Sequence, residues 1–301
     1  MLDKHLLTRV QNRMTFLYLE KAKLYCHQGA VIAETEQGTF TLPIGSVLTL
    51  FLSYGTSITH DAMTLLSDSG CSLIWVGDHI FKTYAYGEPL SGSDKMILKQ
   101  AQAVTNQRRH LAIARKMYQM RFPDEDFTGL SIAKMRGKEG VHMKQLYQKY
   151  ADQYHVVWNG RNYDPKDYLA SDPINQALTS ANQMLYGICT GAVLALGFSP
   201  ALGFIHVGTN KAFIYDLSDL YKAKITIPVA FKTINESGSN FYKTLRTNLY
   251  QEMQKQNLLE QIVKDLFDLF DITKPDLIIT LSLWDNIKDL QQAGIQYQER
   301  R

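Results

Sequence analysis

The chain changes pattern once, at residues 87–95 (GEPLSGSDK), and that change limits what it can fold into. Before it, short runs rich in aromatic and branched residues follow one another: MTFLYLE (14–20), KLYCH (23–27), AVIAET (30–35), TFTLPI (39–44), SVLTLFL (46–52), CSLIWVG (71–77) and FKTYAYG (81–87). Such runs favour strands. Gly29 and Gly38 end the turn tripeptides HQG and EQG, where a tight turn needs a positive φ. HDAMTLLSDSG (60–70) reads as one short helix stopped by Gly70. Hairpins this dense predict a small antiparallel sandwich.

After the linker the period lengthens. Ile97, Ala101, Val104, Ala112, Ala114 and Met117 share a helical face, in a helix capped by Ser93 or Asp94 and stopped after Phe122 by Pro123. Further helices are expected near 130–154, 174–197, 216–224 and 240–270, with WNGRNYDPKDY (158–168) as a polar excursion between them. The expected fold class is α+β. A β-rich, sandwich-like N-terminal domain (1–90) precedes a larger all-α domain (91–275) and a C-terminal tail (276–301).

A hydrophobic content of 45% with 20% charged residues excludes a disordered or fibrous chain. The opening MLDKHLLTRVQN lacks the basic, apolar and small-residue blocks of an export signal. The most apolar stretch, 185–198, is interrupted by Gly187, Gly191 and Gly197 and is too short to span a bilayer. No membrane partner is expected. The three cysteines, Cys26, Cys71 and Cys189, are widely spaced and form no disulfide framework, as suits a reducing cytoplasm.

Charge is uneven along the chain. Residues 1–90 carry 6 Lys+Arg against 8 Asp+Glu, residues 91–246 carry 20 against 12, and residues 247–301 carry 6 against 9. The basic excess lies where a polyanion-binding surface would put it, although a solvated helical surface has the same composition.

Chemistry-bearing residues concentrate in GFIHVGTNKAFIYDLSDLYK (203–222). His206 lies in a short apolar run, and Asp216 and Asp219 stand three apart, on one helical face. An imidazole and two carboxylates can hold a divalent ion: carboxylates suit Mg²⁺, and the imidazole suits Mn²⁺. The same spacing also fits a capping box, with Asp216 as N-cap and Asp219 answering it. A further acid, Glu139, lies in AKMRGKEGVHMKQLYQKYA (133–151) between Gly137 and Gly140, among Arg136, Lys138, Lys144 and Lys149. It reads either as a cleft residue with phosphate-binding neighbours or as a surface acid paired with lysines. Spacing alone does not join Glu139 to His206.

A resemblance does. PIGSV (43–47), WVG (75–77), SDK (93–95), RGKEG (136–140), WNGRNYDPKD (158–167), 174–186, GFIHVG (203–208) and YDLSDLYK (215–222) occur in order over nearly the whole chain. Together they resemble the CRISPR adaptation integrase family, Cas-one, in its type I-E branch. The resemblance implies a dimerising β-rich domain and a helical catalytic domain. It also implies a site on Glu139, His206, Asp216 and Asp219, with Glu139, His206 and Asp219 as ligands of Mg²⁺ or Mn²⁺ and Asp216 as a supporting acid. The implied partners are a second copy of the chain, the small protein Cas-two in a heterohexameric complex, double-stranded DNA with single-stranded 3′ ends, and CRISPR leader-repeat DNA. The implied reaction inserts a foreign fragment by attack of its 3′-hydroxyl at the leader-repeat junction, with DNA cleavage as the associated nuclease activity.

Candidate DNA contacts are Lys82, Arg136, Lys138, Arg161, Lys211 and Lys222. Thr209 stands where relatives tend to carry Lys, and Lys82 where they use Arg, which keeps the charge but loses the bidentate geometry. Near Glu20 and Lys21 the family pattern calls for an aromatic wedge at the DNA end, and Tyr18 is the nearest aromatic. DLIITLSLW (276–284) reads as a lone strand that pairs either with the partner's sheet edge or with the chain's own. Two other functions stay open: an architectural DNA-binding subunit without catalysis, and a structure-selective repair nuclease.

Overall fold

A computed structural model describes residues 14–77, 83–87, 94–162, 171–237 and 241–272. Lys82 and the 276–284 strand fall outside them, as does most of the 158–168 excursion beyond Asn162.

The strands form two sheets of four. One orders β1 (Met14–Leu19), β5 (Val47–Leu52), β7 (Ser72–Val76) and β8 (Thr83–Gly87); the other orders β4 (Gly38–Thr41), β3 (Ala30–Thr35), β2 (Lys23–His27) and β6 (Ser57–Ile58). The second sheet is antiparallel through β2, β3 and β4, as its turns predict, with β6 parallel to β2. The first corrects the expectation of an all-antiparallel sandwich, because β1 pairs parallel to β5 and β5 parallel to β7, with only β8 reversed.

The reason is burial on both faces. Every residue of β5 is buried. Phe51, Ile74 and Val76 face the helices, while Leu50, Leu52 and Leu73 join Leu24, Val31 and Leu66 on the other side. A strand covered on both faces reads as a continuous apolar run without alternation, and SVLTLFL is such a run. Parallel pairing needs crossovers. Strands β2, β3 and β4 fill the one between β1 and β5, and β6 and α1 (His60–Asp68) fill the one between β5 and β7.

The helices are α2 (Lys95–Thr105), α3 (Gln107–Arg121), α4 (Ile132–Tyr154), α5 (Pro173–Ala195), α6 (Ala212–Lys222), α7 (Thr226–Ser237), α8 (Tyr242–Lys255) and α9 (Leu258–Leu269). The single helix expected after the linker is broken at Asn106, whose Oδ1 caps α3 by accepting from the amides of Arg108 and Arg109. The one expected at 240–270 breaks at Asn257, in the left-handed region with φ 47°. Pattern reading missed α7.

Helix α5 is the hub. It carries no charged side chain and is buried from Ile174 to Leu194 on nearly every face, touching α6, α7, α8, α9, β5 and β7. It meets β5 through two glycines one turn apart. A Cβ on Gly191 would stand 2.0 Å from Thr49 Oγ1, and one on Gly187 would stand 2.3 Å from Phe51 Cε1. Only a bare Cα permits this approach. Gly191→Val is therefore expected to lower stability by about 1–3 kcal/mol through overpacking. By contrast Gly137→Ala, where a Cβ meets nothing within 4 Å, is expected to raise it by about 0.5–1 kcal/mol through helix propensity. Denaturant melts of both variants check the contrast, and equal effects would refute the close-approach account.

Candidate active site

The turn before α6 is fixed from three sides. From α2, the buried Gln100 donates Nε2 to the carbonyls of Ser199 and Leu202 at 3.0 and 2.9 Å and accepts from the Ser199 amide at 2.8 Å. From α3, His110 Nε2 donates to the Phe204 carbonyl at 2.7 Å. From α6, Asp216 Oδ2 accepts the amides of Phe204 and Ile205 at 2.5 and 3.0 Å, and Oδ1 accepts the amide of His206 at 2.8 Å. Gly203 lets the turn fold back, since a Cβ there would lie 2.5 Å from the His206 carbonyl oxygen.

Asp216 Oδ1 also accepts from His206 Nδ1 at 2.7 Å. A carboxylate offers no proton here, so Nδ1 carries the hydrogen and Nε2 keeps its lone pair. This is the arrangement that orients a metal-ligating histidine. It corrects the N-cap reading of Asp216. Helix α6 begins four residues earlier, and Asp216 lies in its interior, 1% exposed. The hydrogen bond to Asp216 raises the His206 pKa, burial opposes it, and the charge of Asp219 adds to the rise.

Asp219 lies three residues further along α6, between two cations. Lys222 Nζ is 2.7 Å from its Oδ1 and Arg121 Nη1 is 3.5 Å from its Oδ2. Burial pushes the Asp219 pKa up, but Lys222 and Arg121 together outweigh it and hold the carboxyl below its ordinary value. Burial likewise works against the charge on Lys222, and Asp219 and Tyr186 overcome it to raise the ammonium pKa. The Lys222 Nζ also sits 4.8 Å from the centre of the Tyr186 ring.

Glu139 comes from α4. Its Oε2 accepts from Tyr118 Oη at 3.0 Å, and its Oε1 is 2.5 Å from the same Arg121 Nη1. One guanidinium nitrogen thus stands between Glu139 and Asp219. The flanking Gly137 and Gly140 leave open space beside Glu139. Burial, then the Glu139 charge, raises the Tyr118 pKa.

The structure therefore joins Glu139 to Asp219, and His206 to Asp216, along one face of α6. Among the described residues no group of three His, Cys, Asp or Glu is close enough to form a ready metal cage. The donor chemistry nevertheless fits a divalent ion: two carboxylates, and an imidazole whose lone pair is left on Nε2.

The expected DNA contacts divide. Arg136 is exposed. Lys138 is paired with Glu125 Oε2 at 2.7 Å. Arg161 holds the 160–162 segment onto α5, donating to Asn175 Oδ1 and Thr179 Oγ1, both at 2.7 Å. Lys211 is half-buried ahead of α6, and that burial lowers its pKa. Tyr18 is half-buried beneath the Arg246 guanidinium, and its hydroxyl donates to Glu20.

Comparison with known proteins decides the family. A model described as "CRISPR associated protein Cas1" matches residues 16–124 and 126–264. The chain belongs to the Cas1 family. A Cas1 of Clostridium sp. (strain SY8519), named "CRISPR-associated endonuclease Cas1", is 41% identical over 96% of this chain and 97% of its own length. The Cas1 of Escherichia coli (strain K12), of the same name, is 35% identical over 88% of each chain. The solved structure "Crystal structure of TtCas1-DNA complex" superposes with a TM-score of 0.78 at 36% identity, over 85% of this chain and 91% of that one.

For a Cas1 chain, several supporting residues were not visible in the sequence: Gln100, His110, Tyr118 and Arg121. Each sits on a helix remote from the motifs, and its role depends on packing. The only available signal was an Arg closing a helix whose other face is apolar. Asp216→Asn is expected to bring the His206 pKa back toward its ordinary value, read by NMR titration of the imidazole. The protonated pair stabilises the fold at low pH, and that contribution is lost as pH rises through the raised pKa of His206. An unchanged titration in the variant would show that Asp216 does not hold the ring.

Proposed function

We propose that this Cas1 is a metal-dependent DNA endonuclease and integrase of CRISPR adaptation, of the type I-E branch, with Glu139, His206 and Asp219 as the ligands of Mg²⁺ or Mn²⁺. The observation that carries the reading is the His206–Asp216 bond, which leaves Nε2 as a ligand atom on a ring close enough to feel the Asp219 charge. The names of the relatives and the relative solved with DNA support the activity and the substrate. The basic excess of residues 91–246 supports a phosphate-binding face.

In this mechanism Asp216 holds the imidazole in one tautomer and one orientation. Glu139 and Asp219 supply hard oxygen ligands, and the exposed Arg136 lies on the same helix as Glu139 to meet a phosphate. A bound ion would polarise the scissile phosphoryl group and lower the pKa of the attacking hydroxyl. The fragment's 3′-oxygen forms a new bond to phosphorus as the leader-side 3′-oxygen departs with a proton, so one phosphodiester replaces another without net hydrolysis. The working assembly is a homodimer of this chain joined by Cas-two in a heterohexamer, acting on duplex DNA with single-stranded 3′ ends and on leader-repeat DNA. No described helix is long and apolar enough to cross a membrane, and the reading places the protein in the cytoplasm.

Alanine at His206 or Asp219 is expected to reduce insertion of a labelled fragment into leader-repeat DNA by at least about a hundredfold, a loss of the size seen when a key electrostatic group goes. Binding to the same duplex should be largely spared. Full activity in either variant would instead favour an architectural subunit. Because a proton competes with the ion for Nε2, Mn²⁺ affinity is expected to weaken as pH falls through the raised pKa of His206. Isothermal titration at several pH values reads this, and a flat profile would remove His206 from the ligand set.

A further inference from the structure

The Arg121 side chain is 6% exposed, at the last residue of α3, and lies between two of the proposed ligands. Its Nη1 contacts Glu139 Oε1 and Asp219 Oδ2. A divalent ion bound by Glu139 and Asp219 would take those same oxygens.

The rest of its guanidinium is poorly satisfied. Nη2 faces Met143 Sδ at 3.2 Å, a thioether and a weak acceptor. Nε is buried without a hydrogen-bond partner among the described residues. An arginine buried for structure alone normally has acceptors for its fork, because each orphaned donor costs stability. Lys222, the other cation on Asp219, is better placed. It holds Asp219 Oδ1 and packs against the Tyr186 ring, and it makes no contact with Glu139.

Charge points the same way. Glu139 and Asp219 are already balanced by Arg121 and Lys222, so a divalent ion added without displacement would leave a buried excess of positive charge. One cation has to withdraw. Arg121 is the one that touches both ligands; apart from them it has the Phe122 ring, 5.1 Å from its Cζ, and no good acceptor for Nη2 or Nε among the described residues.

We propose that Arg121 is a built-in competitor of the divalent ion: it holds Glu139 and Asp219 toward one another and yields their oxygens when the ion enters. It is a positioning residue, and the proposal rests on Glu139 and Asp219 being metal ligands. It sets the affinity for the ion below what the three ligands alone would give, so the site fills only when the ion is concentrated enough to displace a guanidinium.

The test is Mn²⁺ binding, read as loss of the free-ion EPR signal, to the full-length protein, to Arg121→Gln and to Asp219→Asn. Arg121→Gln is expected to tighten binding on the order of tenfold or more, since it removes a unit charge a few ångströms from the ion. Asp219→Asn is expected to abolish it. Equal or weaker binding by a folded Arg121→Gln, with the unsubstituted protein binding Mn²⁺ in an Asp219-dependent way, overturns the competitor while leaving the metal centre standing. Absence of Asp219-dependent binding in both overturns the metal centre and the competitor together. Should Arg121→Gln fail to fold, the unsubstituted protein with ¹⁵N-arginine decides. The Arg121 Nε resonance is expected to shift in step with Mg²⁺ occupancy, and a resonance unchanged at saturation overturns the proposal.

Discussion

Asp216 puts a carboxylate inside the protein and surrounds it with donors: the amides of Phe204, Ile205 and His206 and the His206 ring. Burying that charge alone would be costly, and four hydrogen bonds offset the cost. The consequence is geometric. The same acid that ties the turn to α6 also fixes the imidazole, so the backbone and side chain of His206 are set by one group. Asp219 follows at one helical turn, on the face that Asp216 has already oriented.

The larger fold serves that arrangement. Helix α6 is positioned by α5, which is buried nearly all round and pressed against β5 through Gly187 and Gly191. Helices α3 and α4 bring Arg121, Tyr118 and Glu139 to the same place. A strand-rich layer and a helical layer thus share one packed core, in which Phe16, Phe51 and Ile74 belong with Leu185, Leu217 and Leu220. A site assembled from three helices keeps its geometry only if such a core is rigid.

Much of this was legible beforehand. Runs of branched and aromatic residues marked the seven longer strands, and the stretches that form α4 and α5 were expected as helices near 130–154 and 174–197. The parallel pairing of β1, β5 and β7 was misread because antiparallel hairpins were assumed where continuous apolar runs indicated burial on both faces. The break at Asn106 was missed because a single face was drawn through Ile97 and Ala112, which are exposed. Helix α2 buries Met96, Gln100 and Ala103, while α3 buries Ile113, Ala114 and Met117; the capping side chain of Asn106 signals the break. Asp216 looked like an N-cap because helix starts are among the least certain features of a sequence. The union of Glu139 with Asp219 was out of reach of local pattern, since it depends on Arg121 and on how α3, α4 and α6 cross.

The central claim is that His206, Asp219 and Glu139 share one ion while Asp216 holds the histidine. Anomalous scattering from a crystal grown with Mn²⁺ tests it most directly. The account requires a single strong peak in direct contact with His206 Nε2 and with carboxylate oxygens of Asp219 and Glu139, with Nδ1 still bonded to Asp216. A peak on Asp216 or on Nδ1, or no peak among these residues at saturating Mn²⁺, would contradict it.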